Sequence, residues 1–124
     1  GADGAIREIA SGLISHTATE IIDARGAIVM PGLINTHAHL GMTLFRGLGD
    51  DMSLEDFLAR LMPAEIKVLN YDAVHAATEL AALESLLGGI TTSLDMYYLP
   101  DAALEVAKSS ALWSSSILVA DSGY

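Results

Sequence analysis

Val29-Met30-Pro31-Gly32-Leu33-Ile34-Asn35-Thr36-His37-Ala38-His39-Leu40 is the stretch on which the reading of this chain turns. Its Pro-Gly step breaks whatever precedes it, and the apolar residues that follow, beginning with Leu33 and Ile34, read as a short, fully buried β-strand. Successive side chains on a strand alternate faces, so His37 and His39 project the same way with Cα atoms roughly 6–7 Å apart. Both imidazoles can then reach one cation at about 2.0–2.1 Å each. Two ligands do not make a site, and a pair of hydrogen-bonded structural histidines is the rival reading.

Downstream, residues 40 to 52 read as a loop in which Gly41, Gly47 and Gly49 give backbone freedom and Arg46 is the only base. The acids Asp50, Asp51, Glu55 and Asp56 follow, a solvated cluster suited to a helix N-terminus. Ser53 fits as the N-cap with Asp56 at N3, a variant of the capping box. That helix is predicted from Leu54 to about Met62, where Pro63 stops or kinks it. A second helix is predicted from Tyr71 to Leu87, with Ala76, Leu80, Leu83 and Leu87 on one face and His75, Thr78, Glu79 and Ser85 opposite. Asn70 or Asp72 caps its start and Gly88-Gly89 ends it. His75 and Glu79 read as a solvated i,i+4 pair.

Ile90 to Met96 is predicted as the next strand, with Asp95 near its carboxyl end. Pro100 opens a helix to about Ser110, with Lys108 in its last turn. Ser115 to Ala120 reads as a third strand. Upstream, Ala5 to Ile9 and Glu20-Ile21-Ile22 are short β-type pieces punctuated by Gly4, Gly12 and Gly26, and His16 sits in a polar loop. Strand and helix alternate from residue 31 onward, which argues for a parallel α/β sheet.

The run Ile21-Ile22-Asp23-Ala24-Arg25-Gly26-Ala27-Ile28-Val29-Met30-Pro31-Gly32-Leu33-Ile34-Asn35-Thr36-His37-Ala38-His39 resembles the first barrel strand of the amidohydrolase superfamily, whose pattern is D-x-x-G-x-x-v-x-P-G-x-i-n-x-H-x-H. Gly41-Met42-Thr43-Leu44-Phe45-Arg46-Gly47 and Gly88-Gly89-Ile90-Thr91-Thr92-Ser93-Leu94-Asp95-Met96-Tyr97 narrow the resemblance to the cytosine-deaminase-like branch, most of all to 5-methylthioadenosine/S-adenosylhomocysteine deaminases. The resemblance implies an α/β fold: a partial (β/α)8 TIM barrel over residues 31–124, preceded over 1–30 by part of a small β-sandwich domain. It implies His37 and His39 as ligands of Zn2+ or Fe2+, in a site that this chain leaves incomplete, with no catalytic residue inside the chain. In the resembled deaminases a W-L-x-x-x-x-W-P-x-E segment holds the ribose. Phe57 stands where the first Trp would be, one residue nearer the Pro than in that pattern, and Glu65 matches the Glu, so both are candidate substrate contacts. Asp95, in the D-M-Y segment, is expected to support the site from behind without ligating metal.

Composition limits what else the chain can be. Its 124 residues fall short of the about 200–250 that a complete barrel needs, so the chain is expected to be an N-terminal fragment, inactive alone, or a stand-alone remnant. Gly1 in place of an initiator Met is read as truncation at that end too. The formal net charge of −10, from 16 acidic against 6 basic residues, argues against nucleic acid or an anionic membrane as partner. No cysteine is present, which removes disulfides, thiolate nucleophiles and cysteine-ligated zinc. No apolar run approaches a membrane span and no signal pattern opens the chain, so a cytoplasmic location is expected. The expected activity of the parent enzyme is hydrolytic deamination of an aminopurine nucleoside such as methylthioadenosine or S-adenosylhomocysteine. A chlorohydrolase or cyclic-amide hydrolase of the same superfamily, or a non-catalytic remnant that oligomerises, are the alternatives. With 52% hydrophobic residues and strand edges left open, the chain is also expected to self-associate.

Overall fold

Three strands of one parallel sheet carry the site, and the sequence sets where each begins. The computed structural model describes residues 4–12 and 18–116. The chain divides into two compact units, Gly1–Met30 and Pro31–Tyr124.

In the first unit the described backbone reverses at Ala24 to Ala27, where the Ala27 N–H donates to the Ala24 carbonyl at 2.8 Å. Arg25 and Gly26 both take positive φ, 50° and 82°, as a type I′ turn requires. The Asp23 carboxylate accepts from the Arg25 N–H at 2.8 Å and braces the turn. Neither Ala5 to Ile9 nor Glu20-Ile21-Ile22 is strand, contrary to expectation. His16 lies outside the described residues.

The second unit begins at Pro31, and β1 (Leu33–Ala38) follows at once. β1 pairs in parallel with β2 (Ile90–Asp95), which pairs in parallel with β3 (Trp113–Ser116), giving the order β1-β2-β3. The register sets Leu33 against Ile90, Asn35 against Ser93 and Ala38 against Asp95, then Thr92 against Trp113 and Asp95 against Ser116. The third strand therefore opens two residues before the expected Ser115, because its pairing with β2 and not its run of three serines defines it. Residues 117–120 of the expected strand lie outside the described residues. β1 is not the fully buried strand expected: Ile34 is 68% exposed, since β1 forms a sheet edge and its outer surface lacks a neighbour among the described residues.

Helix α1 (Leu54–Val68) starts where Ser53 Oγ accepts from the Asp56 N–H at 3.1 Å while donating to the Asp56 carboxylate at 2.9 Å. It does not stop at Met62. The helix runs through Pro63, although a proline there forfeits the bond to the Ala59 carbonyl. Leu61 and Glu65, four apart and so on one face, are both buried on either side of the proline and hold the two halves in line. Helix α2 (Tyr71–Leu87) is capped by Asn70, whose side-chain oxygen accepts from the Ala73 N–H at 2.9 Å, and ends at Gly88 with Gly89 at φ 82°.

The buried face of α2 is Val74, Ala77, Thr78, Ala81 and Ala82, while Leu80, Leu83 and Leu87 are exposed, which reverses the expected orientation. The helix is apolar nearly all round, so periodicity could not choose a face. Small side chains won because they allow close approach to the 3-10 turn at Leu40–Phe45 and to helix α3 (Pro100–Ser109). Ala38, Leu40, Ala81, Ala82, Val106 and Leu112 form the main core between sheet and helices, and Val74, Tyr97 and Ala102 a second cluster. Among the described residues no helix is long and apolar enough to cross a membrane.

Candidate functional site

The site gathers at the carboxyl ends of β1 and β2, where parallel α/β architectures present chemistry to solvent. Met96, the residue after β2, donates its N–H to the Ala38 carbonyl at 2.9 Å and so fixes the end of β1. Its own carbonyl lies 2.5 Å from His39 Nδ1. A carbonyl can only accept, so Nδ1 carries the hydrogen, and in the neutral ring Nε2 is left with a lone pair.

His37 Nε2 stands 3.2 Å from that His39 Nε2, with the two rings nearly perpendicular at 84°. Without a metal, His37 Nε2–H donates to His39. Two nitrogens each about 2.0–2.1 Å from a tetrahedral cation stand roughly 3.3 Å apart, so the same arrangement fits a shared ion with little movement. The His37 N–H is held in turn by the Asn35 side-chain oxygen at 3.1 Å. His37 also lines a small open hollow of about 80 Å³ with Thr36, Ala38, Leu94 and Met96. Among the described residues no group of three or more His, Cys, Asp or Glu side chains converges as a metal cluster, so the pair supplies two ligands and no more.

Asp95 is 1% exposed, and its Oδ1 accepts from the Leu40 N–H at 2.8 Å, holding the backbone just past His39. Burial pushes its carboxyl above the usual carboxylate range, against the opposing pull of the Leu40 amide and the nearby His39. Glu65 is 6% exposed, on the buried face of α1 with Leu61. Its Oε1 accepts from the Tyr97 hydroxyl at 2.7 Å. Phe57, two helical turns earlier, packs its half-buried ring on Gly49, where an added Cβ would stand 2.0 Å from Cδ2. The structure therefore brings His37, His39 and Asp95 together through Met96 and Leu40, and ties Glu65 to the same strand end through Tyr97. Phe57, on the first turn of α1, packs on the loop at Gly49 and makes no described contact with the other four.

Tyr97 ends the D-M-Y segment, but its bond to Glu65 is not foreseen from the sequence. The D-M-Y segment and its place at the carboxyl end of a strand point to the residue, but not to its partner on α1. The ring lies over Gly41 and its centroid is 6.5 Å from that of His39. Burial, together with the bond to Glu65, raises the hydroxyl well above the ordinary tyrosine range, so it remains a donor. On the rim, Arg46 forks onto Glu84, Nη1 to Oε1 at 2.9 Å and Nη2 to Oε2 at 2.5 Å, and pins the loop to α2. His75 Nδ1 is 3.8 Å from Glu79 on an exposed helix surface.

A parallel α/β unit that presents a His-x-His pair at the carboxyl end of its first strand has the form of the opening of a barrel enzyme with a metal-type site. The amidohydrolase family profile matches residues 28–120, and the chain belongs to that family. It is 43% identical over 114 residues to a 5′-deoxyadenosine deaminase of Methanosarcina barkeri, covering 91% of this chain and 26% of that protein. It is 54% identical over 82 residues to a 5-methylthioadenosine/S-adenosylhomocysteine deaminase of Symbiobacterium thermophilum, covering 65% of this chain and 19% of that one. A solved structure of an adenosine deaminase from Xanthomonas campestris with bound zinc superposes with a TM-score of 0.62 at 40% identity, over 64% of this chain and 18% of that one. The chain thus spans about a quarter or less of the length of these relatives.

Because a Cβ at position 41 would stand 2.4 Å from Tyr97 Cδ1, Gly41→Ala must displace that ring. A loss of about 1–3 kcal/mol in equilibrium urea unfolding is expected, as for other over-packed sites. An unchanged midpoint would show that the ring moves aside freely.

Proposed function

We propose that this chain is the opening part of a zinc- or iron-dependent amidohydrolase that deaminates an aminopurine nucleoside, with methylthioadenosine, S-adenosylhomocysteine and 5′-deoxyadenosine as the substrate class. The observation that carries the reading is the convergence of His37 and His39 Nε2, with His39 Nδ1 anchored on a backbone carbonyl, in a chain of this family. The zinc-bound relative and the names of the two deaminase relatives support the metal and the substrate class. In this reading residues 31–124 form the first β/α units of a (β/α)8 barrel and residues 1–30 part of a small β-sandwich domain. A cytoplasmic location, with neither nucleic acid nor membrane as partner, accords with the acidic balance of the chain.

When bound, such a cation supplies the acidity that turns water into a nucleophile near neutral pH. The protein groups have separate tasks. His39, its ring oriented by Met96, and His37, its backbone N–H held by Asn35, would hold the ion. Asp95 fixes the backbone at Leu40 and with it the angle at which His39 enters. In this reading Glu65 accepts hydrogen bonds from the ribose hydroxyls, and Phe57, packed on Gly49, is the second substrate contact. The net reaction replaces the exocyclic amino group of the purine by oxygen from water and releases ammonia. No general base is among these residues, and the 124-residue chain alone is expected to be inactive.

Three expected outcomes test this reading. In calorimetry the chain binds zinc weakly, since two protein ligands leave at least two tetrahedral positions to water, and His37→Ala abolishes the binding. Tight stoichiometric zinc retained by His37→Ala would place the site elsewhere. In a full-length amidohydrolase carrying this sequence, metal-dependent ammonia release from 5′-deoxyadenosine or methylthioadenosine is expected, with Glu65→Gln raising KM more than it lowers kcat; release of chloride from a chlorinated heterocycle instead would refute it. The chain by itself should associate and bind a hydrophobic dye through exposed residues such as Ile34, Leu83 and Leu87. A monodisperse monomer in sedimentation that leaves the dye dark would contradict this.

A further inference from the structure

Glu65 poses a problem that its own helix does not solve. A carboxylate that is to grip two hydroxyls must stand in one rotamer, yet Glu has three rotatable bonds and sits two residues beyond a proline that interrupts the helical bonding. The restraint comes from the sheet. Tyr97 lies just past β2, 7% exposed, with its hydroxyl donating to Glu65 Oε1 at 2.7 Å. The tyrosine is itself immobilised: its ring is pressed on Gly41, packed in one cluster with Val74 and Ala102, and set edge-on to Tyr98 at 5.3 Å between centroids. Its chain neighbour Met96 orients His39. One rigid segment, residues 96 and 97, thus reaches the metal-type histidine with a carbonyl and the carboxylate on α1 with a hydroxyl.

We propose that Tyr97 is a positioning residue for substrate recognition: it clamps Glu65 in the rotamer that faces the ribose, and couples that contact to the histidine pair through Met96. The proposal rests on the reading of Glu65 as a ribose contact. A carboxylate has about four acceptor sites, and the tyrosine bond uses one, which leaves capacity for a pair of adjacent hydroxyls. The Tyr97 hydroxyl is engaged by Glu65, so its removal should weaken substrate binding and spare the chemical step.

The test uses the full-length enzyme with two substrates, 5′-deoxyadenosine and 2′,3′,5′-trideoxyadenosine, which lacks the ribose hydroxyls. Tyr97→Phe keeps the ring over Gly41 and deletes only the donor. It is expected to raise KM for 5′-deoxyadenosine about tenfold with kcat within about twofold, the scale of one hydrogen bond to a charged group. KM for the trideoxy nucleoside should not change, and Tyr97→Phe should add nothing in a Glu65→Ala background. A merely structural role would alter both substrates alike. An unchanged KM for 5′-deoxyadenosine, an equal rise for both substrates, or a full effect in the Glu65→Ala background would each overturn the proposal while leaving the deaminase reading intact. If the wild-type enzyme deaminates neither nucleoside, the deaminase reading falls and the clamp falls with it. Should Tyr97→Phe fail to fold with an unpartnered buried carboxylate, Tyr97→Phe with Glu65→Gln is compared with Glu65→Gln alone. A further KM rise confined to 5′-deoxyadenosine supports the clamp, and equal values overturn it.

Discussion

Two backbone groups of one residue hold the working end of this sheet together. Met96 gives its N–H to the Ala38 carbonyl and its carbonyl to His39 Nδ1, so the last ladder bond of the β1–β2 pair is followed at once by a bond to a functional side chain. Parallel strands do not exchange bonds through a tight turn, and the register between them depends on the whole α2 crossover that joins them. The position of His39 is thereby tied to the packing of α2. Its small buried residues Ala81 and Ala82 meet Ala38 and Leu40 in the core, directly beneath the histidines. A shift of one residue in register would present Met96 to the wrong partner and turn the imidazole away.

That dependence explains what the sequence could and could not reveal. The convergence of His37 and His39 is legible because a spacing of two on a strand is a matter of backbone geometry alone. Helix starts are legible at Ser53 and Asn70, since capping is settled within four residues. The buried face of α2 is not, because a helix rich in Ala and Leu offers apolar residues in every direction and the choice is made by the size of the space between sheet and α3. Helix α1 crosses Pro63 for a similar reason: buried Leu61 and Glu65 anchor both sides, and tertiary contacts outweigh the local penalty. Tyr97 is hidden because its importance lies in its partner, Glu65, 32 positions away in sequence.

The surface left open follows from the same architecture. Strands of a parallel sheet are ordinarily covered on both faces, which is why they read as near-continuous apolar runs. Here helices cover one face, and Leu33 and Ile34 on the edge strand remain in contact with solvent, as do Leu80, Leu83 and Leu87 on the far side of α2. Each such residue forgoes roughly 25 cal/mol for every Å² of apolar area that further packing would remove from water. Among the described residues these large apolar side chains are thus left uncovered by the unit's own packing.

Fold and recognition also share their contacts on the α1 side. Gly41 is the second residue after His39, and only the absence of a side chain there lets the Tyr97 ring lie flat against the turn that follows β1. With that ring seated, its hydroxyl reaches Glu65, and the tyrosine hydroxyl offsets part of the desolvation cost of a carboxylate that is 6% exposed. A buried acid on a helix interrupted by proline would be a liability in a segment selected for stability alone. In the proposed reading the carboxylate at the end of this chain of contacts, Gly41 to Tyr97 to Glu65, has ribose hydroxyls to receive. Burial then excludes competing water and leaves the group most of its strength as an acceptor.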